Sequence, residues 1–308
     1  MQQNMQQDIQ QDKEPQVQLF IGLDGGGTKC KARLESASGV LLAEAVTGPA
    51  NPATDFTMAL DSILQACQRV LTQAGYSETA LAHCHVAMGL AGVNVPRIER
   101  KMKNWSHPFA SLTVTTDLHI ACLGAHAGLD GAILITGTGT AAFSSVSGEQ
   151  SLFSAQGFPL GDKSSGAWFG WQAVSATLDS LDGLVDESEL TKAVCRTLGV
   201  SSNTDLISCC ISYKATDYAQ LAPLVLKYQQ AGDPYALDIM QRALHYVQAL
   251  LSRLQKTGAT RVAMIGGLAP FIASLLPLHF QQQLSPVLGP PEVGAVALAR
   301  QRFAEKSV

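Results

Sequence analysis

The chain is poor in charge. Asp, Glu, Lys and Arg supply 15% of its 308 residues, leaving a net charge of −4 and a pI near 6.0. No block of Lys and Arg occurs, so the sequence carries no electrostatic footprint for nucleic acid or for an anionic membrane. It also lacks any Cys-x-x-Cys pair. Its seven cysteines are Cys30, Cys67, Cys84, Cys122, Cys195, Cys209 and Cys210. Their number is odd, and several lie in apolar periodic segments, where Cys serves as a small hydrophobe. That excludes a disulfide framework or a zinc ribbon and predicts a reducing, cytoplasmic setting. The histidines show no metal-ligand spacing; His83 and His85 share a strand face and read as structural. No apolar run reaches the ~18 residues that a membrane span requires. Residues 1–16 are rich in Gln and Asp without the apolar core of a signal peptide, and read as a disordered tail.

Apolar residues, by contrast, make up 46% of the chain, enough for sizeable cores and, at this length, for two domains. One stretch organises the rest: Leu19-Phe-Ile-Gly-Leu-Asp-Gly-Gly-Gly-Thr-Lys29. Residues 19–23 read as a buried strand with Asp24 at its carboxyl end. Three glycines in a row weaken any strand or helix, so they are expected to allow positive φ and to bring backbone N–H groups close to a ligand. Bare N–H groups in a tight turn form an anion nest, and phosphate is the usual occupant. A glycine-rich hairpin turn without a ligand is the plainer alternative.

Taken in order, residues 30–36 and 40–46 read as two more strands, making an antiparallel meander with the first. Residues 55–74 carry apolar positions Ile63, Leu64, Cys67, Val70 and Leu71 at helical spacing, with Gly75 as the stop signal. Strands are expected at 83–90 and 112–116, a short basic helix at 96–105, and a helix from Asp117 to about Ala127. That alternation predicts an α/β layer with parallel strands after the meander. The pattern then restarts: a strand at 132–136, Gly137-Thr-Gly-Thr140, a strand at 141–147 and a third at 151–156. Gly25, Gly27 and Thr28 align with Gly137, Gly139 and Thr140 at one constant offset. Two hairpins of one design indicate a duplicated domain, with the two loops gripping the two ends of one phosphate chain across a cleft. Residues 164–181 read as a helix in which Trp168 and Trp171 belong to the core. An all-helical insertion follows at about 186–257, with helices at 190–198, 206–213, 218–230 and 235–256. A strand at 261–265 ends in Gly266-Gly267, a short helix covers 271–276, and a last helix runs to about Ala304. The domains are thus 17–128 and 129–308.

Asp24-Gly-Gly-Gly-Thr28, Gly48-Pro-Ala-Asn51, Gly89-Leu-Ala-Gly92, Thr116-Asp117, Thr136 to Thr140, Gly157-Phe-Pro-Leu-Gly-Asp162 with Gly166, and Gly266-Gly267 stand in that order. As a set they resemble the actin-like ATPase superfamily. Within it the set is most similar to the N-acetylglucosamine and glucosamine kinases of the BadF/BadG/BcrA/BcrD type, which share ancestry with the activator ATPases of benzoyl-CoA reductase. The resemblance implies two RNase H-like domains closing on ATP, Mg²⁺ and an amino sugar, with the last helix packing back on the first domain. One departure stands out. The family continues its Gly-Asp with Glu-Gly-Ser, whereas Asp162 is followed by Lys163-Ser164-Ser165.

Roles follow from chemistry and resemblance together. Phosphoryl transfer depends mainly on positioning and charge neutralisation. Asp24 suits a Mg²⁺ ligand acting through water; a turn-forming Asp is the alternative. The N–H groups of Gly25, Gly26, Gly27 and Thr28 would hold one phosphate, and those of Gly137, Thr138, Gly139 and Thr140 another. The resemblance makes Asp117 the base for the sugar 6-hydroxyl, although an Asp between strand and helix also makes a good N-cap. Asn51, Asp117, Gly161 and Asp162 would contact the sugar, and Gly266 and Gly267 would admit adenosine. Two rivals remain at this point: an activator ATPase of a 2-hydroxyacyl-CoA dehydratase or benzoyl-CoA reductase system, with Cys122 its nearest cluster ligand, and a non-catalytic sugar sensor. A homodimer is the prior for an enzyme of this size.

Overall fold

The computed structural model describes residues 18–306; the proposed N-terminal tail lies outside them. Cα proximity divides the chain into two compact units. One takes the chain up to Ile120 and again from Pro291, and the other runs from Ala121 to Pro290.

The first unit is built on β1 (Leu19–Gly25), β2 (Cys30–Ser36) and β3 (Leu41–Thr47). They form the expected antiparallel meander. Helix α1 (Phe56–Gln73) follows, and after a 3₁₀ segment (Glu78–His83), which takes His83 off the expected strand, β4 (Cys84–Leu90) lies parallel to β1. Then come α2 (Pro96–Lys103) and β5 (Ser111–Thr116), parallel to β4. The sheet order is β3-β2-β1-β4-β5. Strand β1 is apolar up to Asp24 because both its faces are covered. Leu19, Ile21 and Leu23 join the core beneath α1, with Ile63, Cys67 and Val70. The α1 start is fixed by Asp55, whose carboxylate accepts from the Met58 N–H at 2.9 Å. On the opposite face Phe20 meets Phe303 edge-on, with ring centroids 5.7 Å apart, because the last helix returns to cover β1.

Helix α3 (Asp117–Ala125) carries the chain into the second unit. There β6 (Gly131–Thr136), β7 (Thr140–Val146) and β8 (Glu149–Ser154) make a second antiparallel meander. Six helices follow: α4 (Gly166–Leu181), α5 (Glu189–Leu198), α6 (Asn203–Cys210), α7 (Ala215–Ala219), α8 (Ala222–Gln230) and α9 (Pro234–Gln255). Strand β9 (Val262–Ile265) lies parallel to β6, giving the order β8-β7-β6-β9. The helices share one core with the sheet, in which Leu134 and Ala142 pack among Phe169, Val194, Val225 and Val247. Helices α10 (Ala269–Leu275) and α11 (Leu278–Gln281) precede α12 (Pro291–Lys306).

The helix expected at 218–230 is two helices. Pro223 lies in the first turn of α8, where its missing N–H and fixed φ suit a start and preclude continuation from α7. Helix α11 was not foreseen. Both meanders match the sequence pattern, but their loops differ in length. Four residues separate the pair Gly25–Cys30 and three separate Thr136–Thr140, so the constant offset holds only along the incoming strand.

Candidate active site

In the first unit the carboxyl ends of β1, β4 and β5 carry Asp24, the 89–92 loop and Asp117. The loop after β1 is closed by the Gly26 N–H donating to the Lys29 carbonyl at 2.9 Å. It is braced from two sides: the Ala50 N–H donates to the Gly26 carbonyl at 2.8 Å, and the Ala91 N–H to the Gly25 carbonyl at 2.9 Å. Three glycines do not serve one purpose here. None of Gly25, Gly26 and Gly27 has φ in the left-handed region, so the expectation of positive φ fails. A Cβ on Gly25 would lie 2.5 Å from the Leu90 side chain and 3.1 Å from Ala50, whereas one on Gly27 would meet nothing within 4 Å. Gly25 is small for packing, and Gly27 leaves open space in front of the loop. The Gly26 N–H is thereby committed within the loop, which withdraws it from the four donors expected to hold phosphate; Gly27 and Thr28 follow it in the turn.

Asn51 and Gly92 come together. The Asn51 Oδ1 accepts from the Ala53 N–H at 2.9 Å, and it lies 2.6 Å from where a Gly92 Cβ would stand, at a φ of 79°. The amide oxygen is thereby occupied, and Asn51 presents its NH₂ group as a donor.

Asp117 opens α3 but does not cap it. That role belongs to Thr116, whose Oγ1 accepts from the His119 N–H at 3.2 Å. The Asp117 Oδ1 accepts from the adjoining Leu118 N–H, at 2.9 Å. Burial pushes the Asp117 carboxyl above the usual range, and the backbone N–H groups of Leu118 and Asp117 partly offset this. Asp24 is pushed up to about 6, first by burial, then by the charges of Glu292 and Asp117, with Lys31 and Lys29 opposing. The sequence reading passed over Glu292. It is 7% exposed, sits 3.8 Å from the Lys31 Nζ, and its Oε2 has no hydrogen-bond partner among the described residues.

In the second unit the loop after β6 is tied back by its carbonyls. The Gly166 N–H donates to Gly137 O at 2.8 Å and the Ala167 N–H to Thr138 O at 3.2 Å, so the first turn of α4 holds the loop. The Gly137 N–H donates to Gly139 O at 3.0 Å. Asp162 reaches the same loop: its Oδ1 accepts from the Thr140 N–H at 3.1 Å, and a Cβ on Gly139 would lie 3.0 Å from its carboxylate. Asp162 does not cap α4. Ser165 does, accepting from the Trp168 N–H at 3.1 Å. Two of the four N–H groups expected to hold phosphate, those of Gly137 and Thr140, are thus engaged within the protein, leaving Thr138 and Gly139.

Gly266, expected to admit adenosine, has another reason to be small. At a φ of 110° its Cβ would stand 2.3 Å from the Thr136 carbonyl oxygen, while Gly267 faces open space. A Cβ on Gly161 would lie 2.9 Å from the Gln156 Oε1. Trp168 is buried as expected, but Trp171 is 38% exposed. It lies edge-on to Phe158, with ring centroids 6.0 Å apart, in a cavity of about 430 Å³ shared with Tyr213 and Tyr218. His85 is structural: its Nδ1 shares a hydrogen bond with the Ser111 hydroxyl at 2.9 Å. Cys122 is buried, and burial pushes its thiol up to about 12. Among the described residues no helix is long and apolar enough to cross a membrane. Nor do three or more His, Cys, Asp or Glu gather to hold a metal ion.

A mixed α/β protein with two sheets, each entered by a glycine-rich hairpin, is the class these features define. The chain belongs to the BadF/BadG/BcrA/BcrD ATPase family, whose model matches residues 21–276. It is 32% identical over 269 residues to the glucosamine kinase of Vibrio cholerae, covering 86% of this chain and 90% of that protein. It is 24% identical over 256 residues to the N-acetyl-D-glucosamine kinase of Dictyostelium discoideum, covering 78% of this chain and 80% of the relative. The crystal structure of a candidate N-acetylglucosamine kinase from Chromobacterium violaceum superposes with a TM-score of 0.81 at 30% identity, over 92% of this chain and all of that one.

Proposed function

We propose that the protein is an ATP-dependent amino-sugar kinase, transferring the γ-phosphoryl group to the 6-hydroxyl of glucosamine or N-acetylglucosamine. The setting of Asp117 carries this reading. It is a carboxylate at a strand's carboxyl end, released from capping by Thr116, with its Oδ1 accepting from the adjoining Leu118 N–H. Similarity to the glucosamine and N-acetylglucosamine kinases supports the substrate class.

In this reading Asp117 accepts the proton of the 6-hydroxyl as its oxygen attacks the γ-phosphorus. The bond to the β,γ-bridging oxygen breaks, and ADP leaves. Burial raises the Asp117 carboxyl toward the operating pH, which is where a general base is most effective. Gly27 and Thr28, Thr138 and Gly139 donate to phosphate oxygens. Asn51 donates its NH₂ to a sugar hydroxyl, and Gly267 borders the adenosine. Asp162 acts chiefly through the Thr140 N–H, which it holds in place. Magnesium, when bound, neutralises the phosphate charge; Asp24 suits it because Mg²⁺ keeps most of its waters and takes one or two carboxylates.

The test is coupled ADP release over a panel of glucosamine, N-acetylglucosamine, N-acetylmannosamine and glucose. Release that depends on one of the first two supports the reading. Release without any sugar would favour an ATPase, and none with any sugar a sensor. The activator reading needs a cysteine placed to share a cluster with a partner, whereas Cys122 is fully buried and its thiol donates to the Gly131 carbonyl at 3.3 Å.

A further inference from the structure

Glu292 stands in the first turn of α12, where a carboxylate favours the helix dipole. A surface Glu would do that equally well. This one is 7% exposed, and its Oε2 is buried without a hydrogen-bond partner among the described residues. Its Oε1 lies 3.8 Å from the Lys31 Nζ, beyond hydrogen-bond range. A buried carboxylate left so poorly paired costs the fold free energy, and each such group in a native protein calls for an explanation outside stability.

Its position supplies one. Helix α12 lies directly on β1: a Cβ on Gly22 would stand 2.2 Å from the Glu292 carbonyl oxygen and 2.6 Å from the Val296 N. Gly22 and Asp24 share one face of β1, since strand side chains alternate. Lys31 is the cross-strand partner of Asp24 and faces the same way. Asp24, Lys31 and Glu292 therefore converge on one face at the carboxyl end of β1.

We infer that Glu292 is the second carboxylate of the magnesium site, holding with Asp24 the water shell of the metal that accompanies the nucleotide. Two carboxylates and several waters are what Mg²⁺ accepts, so the absence of a three-acid cluster among the described residues is consistent with it. The inference rests on the nucleotide reading proposed above.

Calorimetric titration with ADP, in excess Mg²⁺ and in EDTA, tests it on the full chain. In wild type, Mg²⁺ is expected to tighten ADP binding. In Glu292→Gln that gain should fall by roughly 10–100-fold, the usual cost of losing a group that acts on a metal through its ligands. Binding in EDTA should be unchanged or tighter, because a negative charge near the phosphates has gone. A full magnesium gain in Glu292→Gln, or an equal loss in EDTA, would overturn the assignment and leave Glu292 a structural residue. Glu292→Asp, still charged and one methylene shorter, makes the same test if the amide variant does not fold: reduced magnesium dependence supports the inference, wild-type dependence overturns it. If wild type binds no ADP in either condition, the nucleotide reading falls and takes this inference with it. If wild type shows the gain and the variant keeps it, only Glu292 is reassigned.

Discussion

Ser164 is the residue that the sequence marks as unusual and the fold explains. It stands where the resemblance leads to the expectation of glycine, at a φ of 64° and fully buried. A side chain in the left-handed region costs ~1–2 kcal/mol, and here only a local bond from its hydroxyl to the Lys163 carbonyl offsets it. Ser164→Gly should raise the unfolding free energy by about 1 kcal/mol in urea titration, and Ser164→Ala, which keeps the Cβ, should not. Asp24 makes a prediction of the same sense, but one that depends on pH. Its carboxyl is raised to about 6 from 3.8, so the folded chain binds that proton more tightly than the unfolded one. The contribution is fully present below about pH 3.8 and is lost as pH rises through 6. In EDTA and without nucleotide, Asp24→Asn should therefore melt above wild type at pH ~7.5, with the gap closing toward pH ~4. Equal melting temperatures at both ends would show that the ionised carboxylate carries no cost. Stability given up at neutral pH fits a group kept for a ligand.

Among the elements, α9 and α5 share one anchor. Asp233 is 7% exposed, and its Oδ1 caps α9 through the Tyr235 and Ala236 N–H groups. Its Oδ2 accepts from the Leu190 N–H, at the start of α5. Asp233→Ala should destabilise by roughly 2–3 kcal/mol in chemical denaturation, more than a single cap; Asp233→Asn should cost less. The packing of α12 on β1 depends on Gly22 in the same way. A Cβ there meets backbone at 2.2 Å, which cannot rotate aside, so Gly22→Ala should lower stability by at least ~1–3 kcal/mol as read by thermal melting. The legibility of the sequence divides along this line. Strand β1 was readable because a run buried on both faces has no polar interruption before Asp24, and α1 because its apolar stripe and Asp55 cap are local. The reasons for Gly25, Gly22 and Gly266 were not readable. Each lacks a side chain because of a neighbour distant in sequence: Leu90, Glu292 and Thr136. Trp171 misled for a related reason. Helical spacing put it beside Trp168, but the two side chains point about 60° apart in an ideal helix turn, and only one reaches the core.

At the scale of the whole molecule, the chain makes two units, each with its own core, and the last helix returns to the first. The two meanders and their glycine loops were visible as an internal repeat. The carboxylates at the end of β1 were visible only in part, because Asp24 and Glu292 come from opposite ends of the chain and no local pattern links them. The resemblance named Asp117 as the base, while its place between strand and helix also suited an N-cap; the structure gives the cap to Thr116. The central claim is that Asp117 takes the proton from a sugar hydroxyl. It is tested most directly by sugar-dependent ADP release in wild type and Asp117→Asn, with ADP binding and thermal melting measured alongside. Turnover is predicted to fall by ~10²–10⁴, with folding and nucleotide affinity retained; turnover within a few-fold of wild type would contradict the account.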